Sequence, residues 1–189
     1  DLKILECENC GLVFLSDQSH INDNFYAESK MHKNLNFEKW KKKTYHDDLR
    51  RYNFIKNLIV NKSLLDFGSG NGEFLFKAKK LAKSICGIEL ESAVKQHYLE
   101  NKIKLYNNLV HCKDHFDIIT AFHVIEHLKD PVKILKQLKK KLKKNGEIII
   151  EVPNANDALL KIYNSKAFSN FTYWSCHLYL YNHHTLTIL

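Results

Sequence analysis

Three glycines spaced one apart, in Gly68-Ser69-Gly70-Asn71-Gly72, separate an apolar run at Ser63–Phe67 from a stretch of helical period carried by Phe74, Leu75, Ala78, Leu81 and Ala82. Glycines between a strand and a helix let a ligand approach the backbone. They also aim free N–H groups and the helix dipole at polar or anionic atoms. The dinucleotide fingerprint G-x-G-x-x-G would need a third glycine where Glu73 stands, so the pattern here is G-x-G-x-G with Asp66 ahead of it. A second apolar run, Ser84–Leu90, closes on Glu89, and a carboxylate at a strand end can accept two hydrogen bonds from a ribose diol. A third run, Phe116–Phe122, leads into His123-Val124-Ile125-Glu126-His127. Imidazoles just past the carboxyl end of a strand suit general-base work near neutrality.

The elements that must hold these groups alternate between strand and helix. Thr44 with Asp47 three residues on resembles a capping box, and Tyr45, Leu49, Tyr52, Ile55, Leu58 and Ile59 then keep helical period. Asp130 is the expected N-cap of another helix, Pro131 its first residue and Asn145-Gly146 its end; Ile134, Leu135, Leu138 and Leu142 form its apolar stripe. Gly146–Pro153 reads as a further β-branched strand. Such alternation predicts a doubly wound α/β domain with a mostly parallel sheet and right-handed crossovers.

The motifs strongly resemble those of the class I S-adenosylmethionine-dependent methyltransferases, whose fold is Rossmann-like, and the resemblance runs from about Thr44 to Pro153. It implies a cofactor site of Asp66, Gly68, Ser69, Gly70, Asn71, Gly72, Phe74 and Phe122. Glu89 is then the acid for the ribose, and adenine is expected between Leu90 and the segment Asn107, Asn108 and Leu109. Tyr26, in Asn24-Phe25-Tyr26-Ala27-Glu28, resembles the tyrosine that meets the cofactor's carboxylate; the alternative is an aromatic packed under a cap. For an oxygen acceptor the order of candidate bases is His123, His127, then His177, with Glu126 beside them; His127 could instead cap or pack under the following helix. Similar ubiquinone O-methyltransferases read E-x-x-E-H here and can hold a divalent metal. His123 replaces the first Glu, and an imidazole is a poor ligand for magnesium.

Three segments are expected: residues 1–43, a Cys-x-x-Cys segment and cap; 44–153, the cofactor-binding core; and 154–189, an aromatic tail opening an incomplete C-terminal part. Cys7-Glu8-Asn9-Cys10-Gly11 has the shape of a zinc knuckle and supplies two of the four ligands a structural zinc needs; Cys86, Cys112 and Cys176 are not obvious partners. Methyltransferases acting on sugars often begin with two such pairs, so the chain is expected to start inside that module. At the other end Asp157–Tyr163 reads as a short helix before an aromatic loop. His177 to Leu189 resembles the family's H-x-x-x-F/Y-x-x-x-x-T-L segment, whose threonine caps the next helix. The antiparallel hairpin that completes a class I sheet is not in this sequence.

Composition sets the class of partner. The chain has 189 residues, a net charge of +8 and five cysteines, an odd count that fits a reducing cytoplasm better than a disulfide scaffold. No apolar run is long enough to span a membrane, and none reads as a signal peptide. The lysines concentrate at Lys39, Lys41–Lys43 and along the Pro131–Lys144 helix, while arginine is confined to Arg50 and Arg51, which reads as a solvated surface rather than a nucleic-acid site. The segment directly after Phe122 has no N/D-P-P-Y/F motif and no cysteine, which argues against methylation of base amines or of C5 in pyrimidines. The expected acceptor is a small molecule, such as a sugar, a nucleotide sugar or a phosphorylated amine of surface-glycan synthesis. An RNA methyltransferase and a non-catalytic cofactor-binding protein are the alternatives.

Overall fold

Runs of β-branched and apolar residues become strands wherever both of their faces are covered. A computed structural model describes residues 3–21, 25, 26 and 36–189 of the chain. The elements in chain order are β1 (Ile4–Glu6), β2 (Val13–Leu15), α1 (Phe37–Ile55), β3 (Ser63–Phe67), α2 (Glu73–Ala78), β4 (Ser84–Ile88), α3 (Lys95–Glu100) and β5 (Lys104–Tyr106). They continue with β6 (Phe116–Phe122), α4 (Pro131–Lys139), β7 (Leu142–Glu151), α5 (Ala158–Lys161), α6 (Lys166–Thr172), β8 (Tyr179–Leu180) and α7 (His183–Ile188). Two units result: a core unit of Asp23–Phe122 and Lys136–Ile149, and a second unit of Asp1–Asn22, His123–Leu135 and Ile150–Leu189. Among the described residues no helix is long and apolar enough to cross a membrane.

The core unit holds a five-stranded sheet in the order β5-β4-β3-β6-β7. β3 pairs in parallel with β4 and with β6, so that Leu64 lies opposite Ile85 on one side and Ile118 on the other; β4 pairs in parallel with β5. The Phe116 N–H donates to the Lys141 carbonyl and the His123 N–H to the Glu151 carbonyl, which sets β7 parallel to β6 as well. This is the expected doubly wound α/β arrangement, and strand order reverses between β3 and β6. In such sheets ligands bind outside the carboxyl ends of the strands at the reversal. Trp40, Ile55, Ile59, Leu64, Phe74, Leu75, Val94, Tyr98 and Ile118 belong to the buried core beside the sheet. β7 is an edge strand, and Ile148, Ile149 and Ile150 are only half-buried.

Several boundaries differ from the expectation. α1 begins at Phe37 with Asn36 as N-cap, its side chain accepting from the Glu38 N–H, so the Thr44–Asp47 pair lies inside the helix. The buried stripe of α1 runs through Trp40, Asp48 and Ile55, whereas Tyr45 and Leu58 are exposed. Burying the large Trp40 ring extends the helix past the apparent cap. α4 keeps its Asp130 cap, whose carboxylate accepts from the Lys133 N–H, but it ends at Lys139 rather than at Asn145-Gly146. Pairing with β6 takes over from there. A Cβ on Gly146 would lie 3.0 Å from the carbonyl oxygens of Phe116 and Asp117, and the Lys143 ammonium donates to the Asp117 carboxylate at 2.9 Å. Leu142 therefore belongs to β7 and not to the helical stripe. The strand has ten residues against seven in β6, and Asn145, at φ 62°, lies within it.

The second unit carries a three-stranded antiparallel sheet, β1-β2-β8. The Cys-x-x-Cys segment is the turn of its hairpin, as its flanking apolar runs require, and β8 from the tail pairs with β2 through Val13 opposite Leu180. Val13, Ala155 and Leu180 pack with Tyr173 beneath it. The aromatic loop of the tail contains a helix, α6, because the Ser165 side chain caps it by accepting from the Phe168 N–H. The N-cap of α7 is Asn182 rather than the threonine. Thr185 makes the other half of the capping box, its hydroxyl accepting from the Asn182 N–H.

Candidate active site

The glycine loop after β3 is shaped by backbone geometry. Gly68, Gly70 and Gly72 have φ of 73°, 52° and 82°, values that a side chain disfavours. The amides of Gly68 and Ser69 donate to the Ile88 carbonyl, the Gly70 amide to Glu89 Oε2 at 2.8 Å, the Gly72 amide to the Ser69 carbonyl, and the Glu73 amide to Asn71 Oδ1. This corrects the expectation of free N–H groups aimed at a ligand: these five amides already have partners. Docking on the end of β4 satisfies them, and the glycines serve close approach instead. The buried Tyr98 hydroxyl donates to Ser69 Oγ at 2.8 Å, and a Cβ on Gly87 would lie 2.6 Å from that same oxygen. A Cβ on Gly72 would meet the Tyr98 ring at 2.9 Å.

A cleft opens beside the loop, lined by Asp66, Gly68, Ser69, Gly70, Asn71, Phe74 and Phe122 together with Trp40, Thr44, Asp48 and Arg51 of α1. The first seven come from the sequence-predicted set. Phe74 and Phe122 meet edge to face with centroids 5.2 Å apart, and the Arg51 guanidinium lies 5.3 Å from the Phe122 centroid. The Asn71 amide donates to Thr44 Oγ1 at 2.9 Å, tying the loop to α1.

Electrostatically the cleft is acidic. Burial raises the Asp66 carboxyl from 3.8 to about 7, although the Thr120 hydroxyl donates to it at 2.7 Å. Burial also raises Asp48, and its Oδ2 is buried without a hydrogen-bond partner, while Oδ1 lies 3.7 Å from Arg51. Glu89, bonded to Gly70 of the loop but not among the cleft-lining residues, is raised by burial too. Its Oε1 accepts from the amides of Leu90 and Glu91, at 2.7 and 2.9 Å. An orphaned carboxylate oxygen in a cleft with acids and one guanidinium suits a ligand carrying both cationic groups and a carboxylate.

The remaining predicted cofactor residues fall elsewhere in the core unit. Leu90 is exposed; Asn108 is exposed and accepts from the Val110 N–H, and Leu109 is buried. Tyr26 is half-buried against Phe25, with ring centroids 5.2 Å apart, and is not among the cleft-lining residues. Asn24, Ala27 and Glu28 lie outside the described residues.

The second unit gathers the candidate catalytic residues. His123 has φ 54°, a strained conformation for a residue with a side chain. Its Nδ1 lies 3.1 Å from Glu126 Oε1 and its Nε2 3.1 Å from Glu151 Oε1. Each ring nitrogen thus faces a carboxylate oxygen. Glu126 is fully buried, and its Oε2 has no hydrogen-bond partner. His127 Nδ1 faces the Cys176 carbonyl at 2.7 Å and His177 Nδ1 faces the Thr172 carbonyl at 2.8 Å; their rings lie 4.9 Å apart.

The chain matches the methyltransferase domain family over residues 31–189. It belongs to that family. Among curated relatives it is 30% identical over 119 residues to a ubiquinone biosynthesis O-methyltransferase of Hydrogenovibrio crunogenus, covering 56% of this chain and 49% of the relative. It is 33% identical over 104 residues to a tRNA U34 carboxymethyltransferase of Campylobacter fetus, covering 49% and 37%. The chain thus spans about half the length, or less, of these relatives. In fold it is similar to a SAM-dependent methyltransferase of Archaeoglobus fulgidus, with a TM-score of 0.62, 22% identity and coverage of 79% and 69%. The fold is therefore the Rossmann-like one of class I methyltransferases.

Within that methyltransferase framework, sequence reasoning missed the contribution of α1. Trp40, Thr44, Asp48 and Arg51 recur at helical spacing, but three of the four are polar, so a search for apolar period passes over them. Tyr98 and Glu151 carried no local signal; each acts through a contact distant in sequence. Cys7 to Gly11 form a turn, with the Gly11 amide donating to the Cys7 carbonyl. Backbone N–H groups of Cys10 and Asn9 hold the Cys7 thiol below its ordinary range. Among the described residues no third ligand joins Cys7 and Cys10.

Proposed function

We propose that the methyltransferase domain transfers a methyl group from S-adenosylmethionine to a small-molecule acceptor, such as a sugar, a nucleotide sugar or a phosphorylated amine. The observation that carries this reading is the docked glycine loop with Glu89 fixed at Gly70, at the strand-order reversal of the sheet. Glu89 retains acceptor capacity for ribose hydroxyls beyond its backbone bonds. Asp48 and Asp66 suit the ligand's ammonium, and Arg51 suits its carboxylate. The sulfonium supplies an already activated methyl group. The protein's task is then to hold the acceptor in line and to remove its proton where the nucleophile is an oxygen.

For that proton His127 now precedes His123, because His123 has a carboxylate at each ring nitrogen. The rings of Phe171 and Trp174, packed around His177, support an acceptor with a ring to stack on. A second reading, methylation of an RNA, is favoured by the likeness to a tRNA-modifying enzyme and by the net charge of +8.

Incubation of the protein with S-adenosylmethionine and panels of nucleotide sugars, phosphorylated amines and tRNA, followed by mass spectrometry, tests both readings. A methylated small molecule is the expected product. Methylated tRNA with no small-molecule product would replace the first reading with the second. Gly70→Val, whose side chain would crowd the Trp40 ring, should abolish cofactor binding in calorimetry while the fold survives; unchanged affinity would overturn the cleft assignment.

A further inference from the structure

We infer that the groove between α5 and α6 is a binding site for a phosphate monoester, a dianionic group carried on a small organic body. The cavity there has a volume of about 460 Å³, within the range of small-ligand sites. Lys161, Asn164, Lys166, Ser169 and Tyr173 line it with hydrogen-bond donors, and the buried Leu160 adds an apolar wall. None of the five donor side chains has a hydrogen-bond or ion-pair partner among the described residues. No carboxylate lines the cavity. The one acidic side chain from Asn154 to Leu189 is Asp157, and its carboxylate accepts from the Leu159 N–H as the cap of α5. The groove lies wholly in the second unit and shares no residue with the cofactor cleft.

The chain builds this surface locally. α5 stops after four residues, Asn164 turns the backbone at φ 47°, and the Ser165 N–H donates to the Leu159 carbonyl at 2.8 Å. Asparagine tolerates that left-handed conformation better than most side chains. The turn brings α6 back beside α5, so that Lys161 and Lys166 border one groove. Lys166, Ser169 and Tyr173 recur at helical spacing on that side of α6, whereas Phe171, packed against His177, lies on the opposite side. The donor set selects the ligand. Two ammonium groups beside a cavity without a carboxylate repel each other, and a dianion between them relieves that repulsion. A phosphate monoester carries a charge of about −1.5 to −2 near neutrality, and its oxygens accept from hydroxyl and amide donors. A phosphodiester or a carboxylate brings a single charge. Leu160 and the Tyr173 ring offer the organic part an apolar surface.

The test is calorimetric titration with uridine 5′-monophosphate, its phosphate methyl ester and uridine, in the presence of saturating S-adenosylhomocysteine. We expect the monophosphate to bind as one equivalent, the methyl ester more weakly, and uridine about tenfold more weakly or worse. Lys161→Ala/Lys166→Ala should lose about tenfold or more in affinity for the monophosphate, and so should Ser169→Asp, which puts a carboxylate into the groove. Lys139→Ala/Lys140→Ala removes the same charge from exposed positions of the core unit and should keep the wild-type affinity. No binding at millimolar monophosphate, equal affinity for uridine, or equal losses in the two double-lysine variants would each overturn the site. Tighter binding of the methyl ester than of the monophosphate would overturn the dianion. None of these readouts involves methyl transfer, so failure of the site and failure of the proposed function are distinguishable.

Discussion

Oε2 of Glu89 accepts a hydrogen bond from the Gly70 amide at 2.8 Å, joining the end of β4 to the middle of the glycine loop. The carboxylate thus has a structural role before any ligand arrives, and it presents its remaining lone pairs from a fixed position. Glu89→Ala should weaken S-adenosylmethionine by about tenfold or more, since hydrogen bonds to a charged group contribute about 1.5–3 kcal/mol. Isothermal titration of the variant checks this, and an unchanged dissociation constant would remove Glu89 from the site.

Gly87 lies under the same loop. Gly87→Ala puts a methyl group where Ser69 Oγ already sits, 2.6 Å away, with Tyr98 at 3.0 Å. Overpacking of this kind costs about 1–3 kcal/mol. Urea unfolding should show that loss. Tyr98→Phe, which deletes only the hydroxyl on Ser69, should lose about 0.5–1.5 kcal/mol.

Asp66 makes stability depend on pH. Its folded-state value of about 7 stands above the ordinary 3.8, so its stabilising contribution is complete below about pH 4 and disappears as pH rises through about 7. Asp48 and Glu89 shift in the same direction for the same reason, burial. Asp66→Asn should flatten the fall in stability between about pH 4 and pH 7 without removing it. A wild-type-like slope in the variant's denaturation midpoints would contradict the assignment.

His123 and Glu126 should be coupled energetically. His123→Ala withdraws the Nδ1 partner of a fully buried carboxylate, a loss of about 1–3 kcal/mol. Glu126→Gln on top of it removes the stranded charge, so the double variant should be more stable than additivity predicts. Thermal unfolding checks this, and additive losses would show the pair to be independent.

The alternation of apolar runs with helical stretches was enough to give the parallel α/β fold, because strands covered on both faces need long uninterrupted apolar runs, as in Ser63–Phe67 and Phe116–Phe122. The glycine spacing marked the loop for a local reason, since positive φ at Gly68, Gly70 and Gly72 follows from the residue type itself. Nothing local could tell which partners those groups would take. The loop amides bond to Ile88 and Glu89 across the sheet, α4 stops at Lys139 because Gly146 must lie against β6, and β8 reaches β2 from the far end of the chain. His123, Glu126, His127 and His177 were all visible as titratable residues, but His177 is fifty positions from His127 in sequence. Only tertiary packing set His123 between two carboxylates and His177 beside His127. Periodicity and residue type act over a few positions along the chain, whereas hydrogen-bond and ion-pair partners are chosen by burial, which only the folded chain creates.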